Sequence, residues 1–212
     1  MKTRTLGLFM AGALLAGAAQ AAPFQNGSFE DGTDPGSFIN VPNSTTAITG
    51  WTVSSIDYIG TYWNAQDGVR SVDLNGTAPG SVSQTFDTVA GRTYRVSFYL
   101  ASNTDQSGAK TVDVLATPGG TTGSFTFPNT SPSTPSSMGW TQYSYTFTAT
   151  SASTTLSFAS TVTGTPANGA ALDNVSVTDV TPAPVPTLSQ WMLFGLAGLL
   201  GVAALRRRGL SR

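Results

Sequence analysis

Short runs in which apolar and polar residues alternate constrain the fold more than any other feature. In residues 93–100, TYRVSFYL, the apolar positions run from Tyr94 to Leu100 in steps of two. Residues 142–148 (QYSYTFT) and 154–160 (TTLSFAS) repeat the pattern. A step of two places one set of side chains on one face of a strand. No long helical pattern appears between residues 22 and 180, so the sequence predicts an all-β jelly-roll sandwich with roughly nine to eleven strands.

Weaker signals complete this prediction. Further strands are expected at residues 24–30, 48–53, 71–74, 81–86, 111–116 and 173–177. Residues 128–137, PNTSPSTPSS, contain three prolines and predict an exposed loop. After the sandwich domain over residues 22–180, the Pro-rich residues 181–186 (TPAPVP) predict a short and fairly stiff linker.

The absence of Cys and His excludes several kinds of site. Disulfides, a thiolate nucleophile, a Ser–His–Asp triad and an imidazole metal site all require one of these residues. Any metal must therefore bind through oxygen ligands, which favours calcium. Glycoside hydrolysis needs two carboxylates, and nothing in the sequence marks one pair among the eleven acidic residues, so the chain is expected to be non-catalytic.

The charge distribution excludes a nucleic-acid partner. Between residues 22 and 186 the only basic side chains are Arg70, Arg92, Arg95 and Lys110, whereas all eleven acidic residues lie in this segment. The segment therefore has a net charge of −7. Nucleic-acid binding would need a basic stripe, and the sequence has none.

The N-terminus predicts a secretory signal peptide over residues 1–21. Lys2 and Arg4 form a basic start, residues 6–18 form an apolar run, and residues 19–21 (AQA) match the small-x-small cleavage pattern. An uncleaved anchor helix is the alternative, although the apolar run is short for a membrane span of about 20 residues. The sandwich is therefore expected to be exported across the inner membrane.

The C-terminus predicts a second membrane segment. Residues 188–205 contain no charged side chain and would reach ~27 Å as a helix, about the thickness of one hydrocarbon core. Arginines beside such a span stay on the cytoplasmic side, so the sandwich would lie outside. The C-terminal segment over residues 187–212, a transmembrane helix followed by an arginine cluster, could be a permanent anchor or a segment that is removed.

The tail resembles the IPTL-CTERM sorting signal of bacteria with an outer membrane. The residues that carry the resemblance are Pro186, Thr187, Leu188, Trp191, Arg206, Arg207 and Arg208. Val185 and Met192 stand where the usual motif has Ile and Gly. The resemblance implies that an exosortase-type membrane protease removes the helix, so that the protein is transiently anchored in the inner membrane and then reaches the cell surface or the extracellular space.

Five motifs, in this order along the sandwich domain, carry a second family resemblance. NGSFEDG, ITGWTV, IDYIGTYWNAQDGVRSVDLNG, GSVSQTFDTVAGRTYRVSFYLASN and ALDNVSV resemble the choice-of-anchor C family. The segment is similar more distantly to plant cell-wall proteins of a domain family with no assigned function. Both resemble galactose-binding-like jelly rolls, the fold of many carbohydrate-binding modules. The resemblance implies a surface or extracellular-matrix protein that binds a polysaccharide; a structural surface or biofilm protein without a small ligand and, less favoured, a glycan-active enzyme are the alternatives.

In galactose-binding-like modules the first and last strands often meet at a structural calcium site. Glu30, the only Glu of the chain, and Asp173, within an apolar strand, occupy the matching positions. The resemblance thus implies that these two carboxylates bind calcium, with backbone carbonyls and water completing the shell. The alternative is that both accept backbone N–H hydrogen bonds and bind no metal.

Aromatic residues in a segment of loop-like composition are the candidate sugar contacts. Tyr62 and Trp63 lie in GTYWNAQDG, where they could stack on sugar rings or pack in the protein. Asp67 and Arg70 flank them and could hydrogen-bond sugar hydroxyls, or could be surface and turn residues. Trp51 and Trp140 each follow a Gly at the start of a strand, and for them packing is favoured over binding.

Overall fold

The computed structural model describes residues 22–106, 108–128, 133–163, 167–183 and 192–200. The chain divides into two compact units, Met1–Val180 and Thr181–Arg212. Two predicted features lie outside the described residues: the signal peptide over residues 1–21 and the sorting residues Pro186, Thr187, Leu188, Trp191, Arg206, Arg207 and Arg208.

Ten strands form the described part of the first unit, and every pairing between them is antiparallel. They are β1 (Phe38–Ile48), β2 (Trp51–Ile59), β3 (Ser71–Asp73), β4 (Ser81–Asp87), β5 (Thr93–Ser102), β6 (Lys110–Thr117), β7 (Gly123–Phe127), β8 (Thr141–Thr148), β9 (Ser153–Ser160) and β10 (Ala170–Asp179).

The hydrogen-bonded order is β7-β6-β9-β4-β2-β3-β10-β5-β8, with β1 also paired to β2. This sheet folds back on itself, because strands far apart in the order pack face to face. Phe98 of β5 contacts Phe158 of β9 and Phe125 of β7, with ring centroids 5.1 and 5.2 Å apart. The alternating residues of β5, β8 and β9 fill the core between the two layers, as predicted. The predicted all-β jelly-roll sandwich is confirmed.

Strand β2 belongs to both layers and makes the corner between them. Its first half pairs with β4 through Thr52–Ser54, and its second half pairs with β3 through Asp57–Ile59. Between the halves, Ser55 has a φ of 49°, and its hydroxyl donates to the Ala78 carbonyl at 3.0 Å. Such an irregularity bends a strand and lets it change sheets.

Four details of the strand prediction were wrong. Residues 24–30 form no strand, because Asn26 and Phe29 have φ values of 51° and 58°. Residues 48–53 span the end of β1, a turn at Gly50 with φ of 81°, and the start of β2. Strands β1 and β7 were not predicted at all. β1 is mostly exposed and contains Pro42, so it lacks the alternating pattern that reveals a half-buried strand.

The described part of the second unit contains a helix over residues 192–200. Its large apolar side chains are exposed, among them Met192, Phe194 and Leu199. None of the helices in the described ranges combines the length and the apolar character required to cross a membrane.

Candidate functional site

The outer face of the sheet, opposite the sandwich core, carries two buried acidic residues in one cross-strand row. The strand registers align Asn40 of β1, Asp57 of β2, Asp73 of β3 and Ala171 of β10 across four neighbouring strands. Asp57 and Asp73 are direct cross-strand neighbours, which places their Cβ atoms about 4.5–5.5 Å apart. Their side chains are 7% and 0% exposed. Acidic side chains are almost never this buried unless a partner group compensates their charge.

Residues 60–70, here named the cover loop, fold over this outer face together with residues 133–140. A second apolar cluster lies beneath them, formed by Ile59, Trp63, Ala101, Met138 and Ala171. The Asn64 amide donates to the Pro135 carbonyl at 2.7 Å, and Trp140 Nε1 donates to the Asn64 carbonyl at 3.1 Å. These bonds join the two covering segments into one wall.

Two carboxylates hold the far end of the cover loop by its backbone amides. Asp173 Oδ2 accepts from the amides of Gln66 and Asp67 at 2.7 and 3.0 Å. Glu30 Oε1 accepts from the amides of Val69 and Arg70 at 2.9 and 2.8 Å. These are charge-assisted hydrogen bonds, which are stronger than neutral ones when the acceptor is ionised.

Local backbone shape makes this contact possible. Gly68 has a φ of 66°, and a Cβ there would lie 2.4 Å from the Glu30 carboxyl group. Asn174 has a φ of 48° and follows Asp173 at a register shift between β10 and β5. Its amide donates to Asp173 Oδ1 at 2.6 Å. A glycine in the loop and a bulge in the strand therefore bring the chain segments close enough for these bonds.

The same contacts test whether Glu30 and Asp173 suit a calcium ion. Three of their four carboxylate oxygens accept N–H donors, which occupy lone pairs that a cation would need. Across the described ranges, no group of three or more acidic side chains could jointly hold a metal ion. The arrangement fits the amide alternative better than calcium, which stays a prediction of the resemblance.

Melting with calcium and with a chelator separates the two: amide anchoring predicts equal midpoints, and a rise of several degrees with calcium would establish the ion.

A cleft opens on the outer face next to the cover loop. Its volume is about 90 Å³, and β1, β2, the cover loop and the segments after β5 and before β10 all contribute to it. The lining residues are Phe38, Asp57, Ile59, Tyr62, Trp63, Asn103, Asp105 and Ala167. Aromatic and acidic side chains therefore meet in one cleft although they are distant in sequence.

Phe38 and Tyr62 provide the accessible aromatic surface of the cleft. Phe38 is 48% exposed, and its ring packs edge-on against Tyr62 with centroids 5.3 Å apart. The Tyr62 hydroxyl lies 2.9 Å from both carboxylate oxygens of Asp105, a contact that raises the pKa of the hydroxyl. Trp63 is 3% exposed and donates from Nε1 to the Ser71 hydroxyl at 2.8 Å, so it mainly packs beneath the loop.

Two of the predicted ligand contacts lie elsewhere. Arg70 Nη1 donates to the carbonyls of Glu30 and Gly32 and to the Tyr58 hydroxyl, at 2.8, 3.2 and 3.0 Å. Asp67 accepts from the Ser28 hydroxyl at 2.7 Å. Neither side chain lines the cleft, and both connect the cover loop to the segment before β1.

Six of the eight lining residues were missed by the sequence prediction: Phe38, Asp57, Ile59, Asn103, Asp105 and Ala167. Asp57 carried a usable signal, because it is an acid inside the apolar run IDYI. Phe38 carried none, because β1 was not predicted. Trp51 is 1% exposed and packs against Phe29, as the packing alternative expects.

Burial dominates the electrostatics of the outer face at two carboxyl groups. It raises the pKa of Asp173 to about 7, although hydrogen bonds from the amides of Asp67, Asn174 and Gln66 oppose the rise. Burial raises the pKa of Asp73 to about 7, although hydrogen bonds from Asn103 Nδ2 and from the amides of Asn75 and Gly169 oppose the rise. Burial also raises the pKa of Asp57, and the hydrogen bond from Asn40 Nδ2 at 2.9 Å opposes it. The negative charge of each carboxylate disfavours ionisation of the other.

Residues 22–178 match the family model described as "Protein of unknown function (DUF642)". The chain belongs to this family. The DUF642 chain is also 35% identical over 176 residues to halomucin of Haloquadratum walsbyi (strain DSM 16790 / HBSQ001). That match covers 78% of this chain and 2% of halomucin, so the chain spans only a small part of its relative.

Two solved structures are similar in shape. A family 35 carbohydrate-binding module from Clostridium thermocellum is 10% identical with a TM-score of 0.47, over 61% of this chain and 92% of the module. The module TmCBM61, solved with β-1,4-galactotriose, is 16% identical with a TM-score of 0.45, over 74% and 98% of the two chains. Both TM-scores are below 0.5, so these similarities do not indicate a function for the DUF642 chain.

The raised pKa of Asp73 predicts a pH-dependent stability. Below pH about 4 the carboxyl is protonated in both states, and its contribution to folding is fully present. Between pH about 4 and 7 the unfolded chain loses this proton while the folded chain keeps it, so stability falls as the pH rises. One such group contributes a slope of up to about 1.4 kcal/mol per pH unit. Urea unfolding of wild type and Asp73→Asn across this range should show a shallower fall in the variant.

Ser71→Ala is the matched control for this experiment. It removes the buried acceptor of the Trp63 indole without removing a titrating group. Its free energy of unfolding should be lower than wild type at every pH with the wild-type slope. Equal slopes in wild type and Asp73→Asn would contradict the assignment to Asp73.

Proposed function

We propose that the chain is an exported, non-catalytic carbohydrate-binding protein whose sugar site is the cleft beside the cover loop. The observation that carries the proposal is the exposed Phe38–Tyr62 pair next to the polar groups of Asp57, Asn103 and Asp105. A sugar ring presents C–H groups on its faces, which pack on aromatic rings, and hydroxyls on its edges, which hydrogen-bond to carboxylates and amides. A mostly apolar concave surface with a few convergent polar groups is the usual form of a small-ligand site.

The size of the cleft favours a single sugar unit. Its volume of about 90 Å³ is well below the range of roughly 300–1,000 Å³ typical of pockets that enclose a drug-sized ligand. A ligand would therefore insert one ring edge and remain largely exposed. A neighbouring open depression of about 440 Å³ lies along the cover loop and shares Trp63 with the cleft, so further units of a chain have a surface to follow.

The positions of the acidic residues support binding without catalysis. Hydrolysis of a glycosidic bond needs two carboxyl groups that flank the bond. Asp73 is fully buried and does not line the cleft, and Asp105 already accepts from the Tyr62 hydroxyl on both oxygens. Two acidic residues line the cleft in the described part of the chain. Of these, only Asp57 has a carboxylate oxygen, Oδ2, without a hydrogen-bond partner.

Variants of the aromatic pair test the site. Once a glycan array on the purified protein has identified a ligand, we expect Phe38→Ala and Tyr62→Ala each to weaken binding about 3- to 10-fold, because each removes an aromatic contact. Isothermal titration calorimetry measures the change. Val89→Ala, at an exposed apolar residue outside the cleft, is the control and should bind as wild type.

The outcomes separate the candidate functions. Ligand binding that survives both aromatic substitutions would move the site elsewhere, for example to the open depression of about 480 Å³ on the β5–β8 surface around Arg95 and Tyr143. An array without any bound glycan would favour a structural surface or biofilm protein. Release of free sugar from any polysaccharide would indicate an enzyme.

The proposal includes export and sorting, which the N- and C-terminal sequences support. The chain would be a choice-of-anchor C protein with an IPTL-CTERM tail, cut by an exosortase-type protease after transient anchoring in the inner membrane. We expect an intact mass of the surface form that ends near residues 186–188. A mature mass that still includes Arg206–Arg208 would instead mean a permanent anchor.

A further inference from the structure

We propose that the cleft selects a sugar that carries an ammonium group, such as a glucosamine unit, over neutral and acidic sugars. This inference rests on the proposed function and specifies its ligand class. It follows from the negative charge of the cleft, from the open acceptor oxygen of Asp57 and from the two aromatic residues in the lining.

The cleft is acidic on two sides, and none of its lining residues in the described part of the chain carries a positive charge. Asp57 and Asp105 line it, and Asp73 lies directly behind Asp57 in the neighbouring strand. The nearby cations are held elsewhere. Arg70 binds carbonyls and the Tyr58 hydroxyl at the other end of the cover loop, and Lys110 shares the core-facing side of β6 with Val112. Lys110 acts on Asp73 through its charge but is 2% exposed and does not reach the lining.

Asp57 has an open acceptor in the cleft. Its side chain is 93% buried by its neighbours, since only 7% is exposed, and Oδ1 accepts from Asn40 Nδ2. No hydrogen bond to Oδ2 occurs among the described residues, although the residue lines the cleft. Oδ2 is accessible from the cleft, since it is not one of the fully buried side-chain oxygens without a partner among the described residues. A donor that carries a positive charge makes a stronger hydrogen bond to such a carboxylate than a neutral donor does. An ammonium group in the cleft would provide this donor.

The aromatic side chains favour the same ligand. Phe38 and Tyr62 both line the cleft, and the faces of aromatic rings carry a negative quadrupole that attracts a cation. The Asp105 carboxylate beside the Tyr62 hydroxyl adds a second negative group at the cleft. A carboxylate-bearing sugar would meet repulsion from Asp57 and Asp105 and would find no Arg or Lys in the lining to offset it.

Titration of the mature protein with three sets of oligosaccharides tests the proposal. The probes are glucosamine oligomers, the N-acetylated oligomers of the same length, and oligogalacturonate, at a pH where the free amine is protonated. We expect at least 10-fold tighter binding of the glucosamine oligomer than of its N-acetylated form, a preference that weakens with added salt. We expect no binding of oligogalacturonate that depends on Phe38.

The variant Asp57→Asn isolates the carboxylate. It keeps the shape of the side chain and should bring the ratio of the affinities for the amine and its N-acetylated form down to about one, even if the substitution also changes both affinities together. Asp113→Asn, which removes one acidic charge from β6 outside the cleft, should keep the full preference. Thermal melting of both variants shows whether they are folded, and the ratio of the two affinities within one variant does not depend on the active fraction.

Each result decides the proposal. A preference that persists in Asp57→Asn, equal affinity for the amine and its N-acetylated form, or oligogalacturonate binding lost in Phe38→Ala would overturn it. Calcium-dependent binding of neutral oligomers that is lost in Asp57→Asn would also overturn it, in favour of a cation bridge. Binding of neutral sugars alone leaves the proposed carbohydrate-binding function intact, whereas no binding of any glycan would refute both.

Discussion

The hydrogen bonds that the amides of Gln66 and Asp67 donate to the Asp173 carboxyl group are the contact on which the candidate site depends. They join the last strand of the sandwich to a loop more than a hundred residues earlier in the chain. The Glu30 contacts, the Arg70 guanidinium and the Ser28–Asp67 and Asn174–Gln66 side-chain hydrogen bonds also hold the far end of the cover loop. Tyr62 and Trp63 lie on this loop, so the wall of the cleft depends on the same bonds.

The cover loop also explains why part of the sheet is buried on both faces. Strand β3 is buried at all three residues, and β10 is buried from Ala170 through Asp173. One face of these strands packs in the sandwich core, and the other lies under the cover loop and residues 133–140. Asp57 and Asp73 lie on that second face. Their burial raises the pKa of both carboxyls, and Asp57 alone of the two contributes an acidic group to the lining of the cleft.

This double burial separates what the sequence predicts well from what it does not. Strands β5, β8 and β9 have one polar face, so alternation identified them. Strand β1 is a mostly exposed edge whose apolar residues do not alternate with polar ones, so the sequence did not predict it and Phe38 was missed with it. Glu30 and Asp173 were singled out as a pair, and the structure brings both to the cover loop through backbone amides. Asp105 and Asn103 have no local signal, because only the fold places them opposite Tyr62.

The proposed glycan site lies on the outer face of the sheet, beside the cover loop. The most direct measurement is a backbone NMR titration of the isotope-labelled sandwich with the best glycan from an array. If the glycan binds in the cleft, we expect the largest saturable chemical-shift changes on the amides that border it, those of residues 37–40, 57–64 and 101–105. Changes confined to residues 95–97 and 142–146 on the β5–β8 surface, or an unchanged spectrum at saturating glycan, would contradict it.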